Sequence, residues 1–255
     1  MKEQSFHNEK VCAYKNARII SQLQRDIMPL QGLKKLSTDS SVNLGVHPIE
    51  NSFPYSSFPI GCIHEFLSAS NNDIASTNGF VAALLSKLML SKATAIWIST
   101  TRNLFPAALK NFGIDPEHII FIDLEKEKDV LYTIEEALKC NRIATVIAEI
   151  KQINFKESRR LQLAAEQSRV TGFIIRHQPK VLNTIACVSR WCVKSLPSEL
   201  SNGMPGVGFP RWNVELLKVR NGKPGSWKIE YSSNSFQEIK EKVIDIPQTQ
   251  IRNVG

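Results

Sequence analysis

No uninterrupted apolar run in this 255-residue chain approaches the roughly 18 residues that a membrane-spanning helix requires. The opening residues, Met-Lys-Glu-Gln-Ser-Phe-His, lack the apolar stretch of a secretory signal. The expectation is a cytoplasmic protein. Its five cysteines (Cys12, Cys62, Cys140, Cys187, Cys192) are odd in number and form no Cys-x-x-Cys pair, so buried thiols are expected in place of disulfides or a zinc site. His47, His64, His118 and His177 stand apart, and His64 reads as a hydrogen-bonded core or strand-edge residue in place of a ligand. Ser56-Ser57 and Ser99-Thr100-Thr101 lack the flanking glycines of a nucleophile elbow, which removes the hydrolase reading.

The most informative scarcity lies between Ser68 and Ser86, where there is no Lys or Arg and a single glycine, Gly79. Around it, a strand-like run (Ile60 to Leu67), a polar loop and an apolar helix (Phe80 to Leu90) follow the order of a phosphate cradle. A working cradle needs glycines so that N–H groups converge on phosphate oxygens, a Lys on the outer phosphates and a Ser or Thr on the magnesium. The order is present and the residues are missing. The expectation is a nucleoside-triphosphatase scaffold without its triphosphatase, holding no cofactor and no metal.

What is there fits an ordinary globular protein: 42% of residues are hydrophobic and 22% charged, enough for one α/β core with appendages. The net charge of +8 is unevenly spread. Residues 1 to 150 hold 15 Lys and Arg against 16 Asp and Glu, whereas residues 151 to 255 hold 17 against 8. An excess confined to one section suggests a face that meets an anion such as nucleic acid, or a solvated basic surface.

Lys15 to Leu30 can form a helix with Ile20, Leu23, Ile27 and Leu30 on one stripe, ended near Met28 by Pro29. Residues 1–30 are thus an amphipathic helix for docking or packing, with Ile20, Leu23 and Ile27 as partner contacts. Residues 31–58, rich in Ser, Asn, Pro and Gly, read as a linker. From residue 59 the pattern becomes regular. Runs Ala93 to Ile98, Ile119 to Asp123, Ile143 to Ile150 and Thr171 to Arg176 are short and β-branched, as in strands buried on both faces of a parallel sheet. Helical stretches lie between them: Asn103 to Phe112, with Gly113 as a stop, Asp129 to Cys140 and Lys156 to Arg169. Alternating strands and helices give an α/β domain.

Arg211 to Arg220 and Ser226 to Tyr231, joined through Asn221-Gly-Lys-Pro-Gly, read as a β-hairpin. Ile185 to Lys194 reads as another strand of the same antiparallel edge. Residues 232–255 are read as a polar tail with one possible helix, Phe236 to Ile244; its Gln248-Thr-Gln-Ile is a poor match to a clamp-binding peptide.

Pro59-Ile-Gly-Cys-Ile-His-Glu-Phe resembles the strand that enters the phosphate loop of RecA-type recombinases, and Ala95-Ile-Trp-Ile-Ser and Ala144-Thr-Val-Ile-Ala-Glu follow in matching order. Arg159-Arg-Leu-Gln-Leu-Ala-Ala-Glu-Gln-Ser-Arg-Val-Thr-Gly and Pro210-Arg-Trp-Asn-Val-Glu-Leu-Leu-Lys-Val-Arg-Asn-Gly-Lys-Pro-Gly-Ser-Trp are similar to the ImuA family, RecA-like accessory proteins of bacterial damage-induced mutagenesis. The resemblance covers about residues 55 to 231. It implies a RecA-like, mostly parallel sheet flanked by helices, with a C-terminal antiparallel hairpin, over residues 59–231. It also implies partners: an ImuB-type protein related to Y-family polymerases, an error-prone C-family DNA polymerase, the sliding clamp and RecA, to which the basic excess of residues 151 to 255 adds single-stranded DNA.

An active ATPase of the RecA type carries a Glu after the strand matching Ala95 to Ser99 and an Asp ending the strand matching Ala144 to Ala148. Here the first position falls among Ser99, Thr100, Thr101 and Arg102, and the second is Glu149. Without a cradle Glu149 reads as an ordinary strand-end residue, and the expectation is a non-catalytic adaptor of translesion synthesis. Candidate DNA or partner contacts are Arg159, Arg160, Arg169, Arg176, Arg211, Lys218, Arg220 and Lys223, with Trp212 and Trp227 as stacking platforms. Two rival readings stay open: a SulA-type cell-division inhibitor that binds FtsZ, and an ATP-dependent DNA-binding protein with an atypical phosphate loop.

Overall fold

The computed structural model describes residues 44–45, 47–89, 93–199 and 207–239, together with Ile19, Gln22 and Leu23. The order of elements is α1 (His47–Glu50), β1 (Ile63–Ser68), α2 (Asn72–Leu88), β2 (Thr94–Ser99), β3 (Ile119–Asp123), α3 (Glu127–Lys139), β4 (Ile143–Glu149), α4 (Phe155–Ser168), β5 (Thr171–His177), β6 (Ser189–Leu196), β7 (Arg211–Val219), β8 (Gly225–Ser232) and β9 (Ser235–Glu238). All nine strands form one sheet in the order β3-β2-β4-β5-β1-β6-β7-β8-β9. From β3 to β6 the neighbours are parallel, and from β6 to β9 antiparallel. This is the mostly parallel α/β sheet with a C-terminal antiparallel hairpin that the sequence pattern implies.

Successive residues of the central strands face opposite sides, as the two-residue period of a strand demands. Phe66, Trp97, Ile147 and Phe173 enter one core beneath α2, with Phe58, Phe80, Trp191 and Trp212. Ile63, Ile96, Val146 and Ile174 enter the other, beneath α3 and α4. Each helix covers its core for a local reason. Asn154 and Glu157 close a capping box at the start of α4, and Val130, Ile134, Ala137 and Leu138 form the buried stripe of α3.

Several expected boundaries move. α2 begins at Asn72, not at Phe80, so the polar stretch read as a loop is helix. Its first turn is suited by Asp73, and Thr77 is buried with its hydroxyl 2.9 Å from Ser68 Oγ, so that polar group is satisfied inside. The expected helix from Asn103 is a 3-10 turn over Pro106–Phe112, because Phe105 before the proline is held extended. Gly113 ends it in the left-handed region at φ 75°. β6 is not simply an antiparallel edge strand: it pairs parallel with β1 and antiparallel with β7. The first residues of the expected Phe236 to Ile244 helix belong instead to strand β9 (Ser235–Glu238), reached through a tight turn in which Ser233 and Asn234 both have positive φ. Residues 240 to 255, with Gln248-Thr-Gln-Ile, lie outside the described residues.

The described part of the stretch read as a linker is packed. Leu44, Ile49, Phe53 and Phe58 are buried in the α2-side core, and Glu50 Oε1 accepts from the N–H groups of Leu44 (2.6 Å) and Gly45 (3.2 Å). The Asn-Gly turn between β7 and β8 docks on this strap: Lys223 N–H donates to Ser52 O at 2.9 Å. A Cβ on Gly222 would lie 2.1 Å from that same oxygen, so the approach requires glycine.

Candidate functional site

In open α/β sheets ligands bind in the crevice beyond the carboxyl ends of the parallel strands, and here those ends are Ser68, Ser99, Asp123, Glu149 and His177. The connection from β1 to α2 is only residues 69–71. It holds no glycine, and Asn71 is already helical at φ −60° and ψ −35°. The positive end of α2 is met by the chain's own anion. Asp73 is buried in the first turn, accepts from Ser70 Oγ at 2.6 Å and from the Ser195 N–H at 3.2 Å.

Behind that turn a polar chain crosses the crevice. Ser68 Oγ lies 2.9 Å from both Thr77 Oγ1 and His177 Nδ1. His177 Nε2 lies 3.4 Å from Glu149 Oε2 without a hydrogen bond; that oxygen accepts from Asn103 Nδ2 at 3.0 Å, while Glu149 Oε1 accepts from Trp97 Nε1 at 2.9 Å. Burial pushes the Glu149 carboxyl up, but His177, Trp97 and Asn103 together outweigh it and hold it below its ordinary value. Glu149 is therefore an anion whose oxygens are taken by protein donors. Among Ser99, Thr100, Thr101 and Arg102 there is no carboxylate. The next one, Asp123, is ion-paired with Arg102 at 2.5 Å beside a cleft of about 280 Å³ lined by Trp97, Leu104 and Phe121. A magnesium nucleotide needs a cationic cradle and free carboxylate oxygens. These residues do not fit one: the loop offers an anion, and Glu149 is engaged.

A second buried charge lies deeper. Glu65, in the middle of β1, binds Arg176 Nη1 at 2.9 Å and Arg190 Nε, and all three side chains are at least nearly buried. Arg176 thus belongs to the core and is no surface contact. His64 beside it is the hydrogen-bonded core residue expected. Its Nε2 lies 2.8 Å from Pro59 O, so that nitrogen carries the proton. Its Nδ1 then accepts from Ser189 Oγ at 2.6 Å, and Ser189 Oγ accepts from Trp191 Nε1 at 2.7 Å. Burial drives the His64 pKa down to about 4. Cys62, Cys187 and Cys192 are buried thiols and Cys140 is exposed; burial pushes Cys62 strongly up and Cys187 up to about 11.

The remaining basic candidates do not form one face. Arg159 and Arg160 lie exposed on α4, and Arg160 pairs with Glu135. Arg169, the left-handed cap of α4 at φ 68°, sits at the amino ends of the strands with its backbone against Gly61. Lys218, whose Nζ donates to Ile185 O at 3.3 Å, Arg220, 3.7 Å from Glu166, and Lys223 lie at that same end. Arg211 is at the opposite end, bound to Glu230 and Glu199. Trp212 is core and unavailable to a base, while Trp227 is half-buried against the same core. Leu23 is exposed on a helical residue, and Ile20 and Ile27 lie outside the described residues.

The residues that sequence reasoning missed are His177, Asp73, Trp97, Glu65 and Arg190. No local pattern marks them, since their partners are distant: Ser68 and His177 are 109 positions apart and Glu65 and Arg190 are 125. The one available signal was charge inside an apolar strand, as in Glu65 and Arg176.

Fold and site together define a mostly parallel α/β protein whose strand-end crevice is crossed by a chain of its own polar side chains. No family model matches the chain. The chain is similar to Protein ImuA of Caulobacter vibrioides, in strain NA1000 / CB15N and in strain ATCC 19089 / CIP 103742 / CB 15. Each is 29% identical over 201 residues, covering 74% of this chain and 82% of that protein. That similarity supports membership of the ImuA family. No helix among the described residues is long and apolar enough to cross a membrane.

Proposed function

We propose that the chain is a non-catalytic RecA-like adaptor of damage-induced translesion DNA synthesis. In this reading it assembles with an ImuB-type protein related to Y-family polymerases and with an error-prone C-family DNA polymerase, with RecA and single-stranded DNA as further contacts. The observation that carries the reading is the engaged crevice. Where a nucleotide fold would present free groups, Ser68 is bonded to Thr77 and His177, Glu149 accepts from Trp97 and Asn103, and Asp73 occupies the helix terminus that would face a phosphate. The similarity to Protein ImuA supports the pathway.

Purified chain incubated with magnesium and ATP is expected to show no turnover above buffer. Steady turnover that disappears in Glu149→Ala overturns the non-catalytic reading. Affinity capture with the tagged full chain from DNA-damaged cells is expected to recover a protein related to Y-family polymerases together with a C-family polymerase. Recovery of FtsZ and neither polymerase relative refutes the adaptor.

A further inference from the structure

The loops that leave β4 and β5 are tied into one platform from beneath by buried arginine. Arg176 Nε donates to Lys151 O at 3.4 Å, and its Nη2 donates to Val181 O at 3.0 Å. Asn183 accepts from Arg176 Nη1 at 3.2 Å through Oδ1, and donates through Nδ2 to Ile153 O at 2.7 Å. Arg190 Nη2 donates to Asn183 O at 2.7 Å. A surface loop is ordinarily mobile, but this one has its carbonyls held by guanidinium groups whose charge Glu65 balances.

What this fixed backbone displays is unusual for solvent. Val181 is 65% exposed, Leu182 54% and Phe155 55%. Around them Lys151, Lys156 and Lys180 are exposed, and none of the three forms an ion pair among the described residues. The two carboxylates beside the platform each accept one backbone hydrogen bond: Glu127 from the Lys151 N–H at 3.3 Å and Glu157 from the Asn154 N–H at 2.8 Å. A cavity of about 390 Å³ opens beside them between Leu131, Ile153, Arg176 and Val181, large enough for one side chain.

We infer that this platform binds a segment of a partner protein that presents carboxylates beside aliphatic or aromatic side chains. The rim of lysines complements carboxylates, and the adjacent aliphatic pair buries apolar side chains. A nucleic-acid strand would need flat faces for its bases, and Phe155 is the one exposed aromatic ring on the platform. Because the loops are already ordered, little conformational entropy is lost on docking. This binding role rests on the adaptor reading above, but its test uses none of the partners named there, so the two can fail separately.

The test selects a random peptide library on the full-length chain and counter-selects it on the Val181→Asp, Leu182→Asp double variant. Both side chains are exposed, so the variant should melt with the parent, and circular dichroism checks this. Enriched peptides are expected to combine Asp or Glu with Leu, Ile, Met or Phe. Their affinity should fall about tenfold or more in the double variant and about tenfold in Lys151→Glu, Lys180→Glu. Enrichment of basic peptides, or of none that the double variant loses, overturns the inference. A labelled oligothymidylate bound by the parent and released by Val181→Asp, Leu182→Asp overturns it too, because nucleic acid is then the occupant.

Discussion

Glu65 and Glu149 are two carboxylates buried in neighbouring parts of one sheet, and they are held in different ways. Glu65 sits in mid-strand between two guanidinium groups supplied by β5 and β6, with the Cys187 thiol donating to it from the loop between them. Glu149 ends its strand at the crevice and is held by an indole, an amide and an imidazole. The first is a structural ion cluster that fixes two loops. The second has the position of a metal-binding carboxylate, but both its oxygens are taken by side-chain donors. The difference teaches that a charge at a ligand-binding position of a fold must be judged by whether its acceptors are free.

The largest expected effect lies at the first site. Glu65→Ala leaves Arg176 and Arg190 buried without a counter-charge and should destabilise the chain by about 3–5 kcal/mol in denaturant unfolding; a loss below about 1 kcal/mol would mean water already reaches the cluster. Next comes His64, whose pKa falls from 6.5 to about 4 on folding. The unfolded chain binds the proton more readily, so stability is full above pH 6.5 and is lost as pH falls toward 4. The difference amounts to about 3 kcal/mol. Unfolding measured across that range should slope in the parent and be nearly flat in His64→Gln. The Glu149 carboxyl is held below its ordinary value of 4.5, so its contribution is present above that value and lost only on further acidification, which separates the two groups. The smallest effect is Glu149→Gln, which keeps an acceptor for Trp97 and should cost about 1 kcal/mol. A larger cost would place Glu149 nearer to the Glu65 type.

How much of this could be read beforehand depended on the range of the interaction. β2, β4 and β5 were legible because strands buried on both faces are continuous β-branched runs, and the β7–β8 hairpin because Asn221-Gly222 fixes its turn. The start of α2 was hidden since its Ser, Asn and Thr residues match loop composition, and only long-range contacts such as the Ser68 hydroxyl on Thr77 and the Ser195 N–H on Asp73 explain the burial of those two residues. The strap over residues 44–58 was hidden for a similar reason: Pro and Ser dominate it, while a few large apolar residues such as Phe53 and Phe58 anchor it. The missing glycine and lysine of the crevice were visible at once. What took their place was not, because Thr77, His177 and Glu149 are joined only by the crossover topology.

β6 has one edge in each style of pairing. It also supplies Arg190 to the ion cluster and Ser189 to the imidazole relay. The terminal meander is therefore mortared to the parallel wall through a single shared course of bricks, and the meander cannot be prised away without cracking the wall behind it.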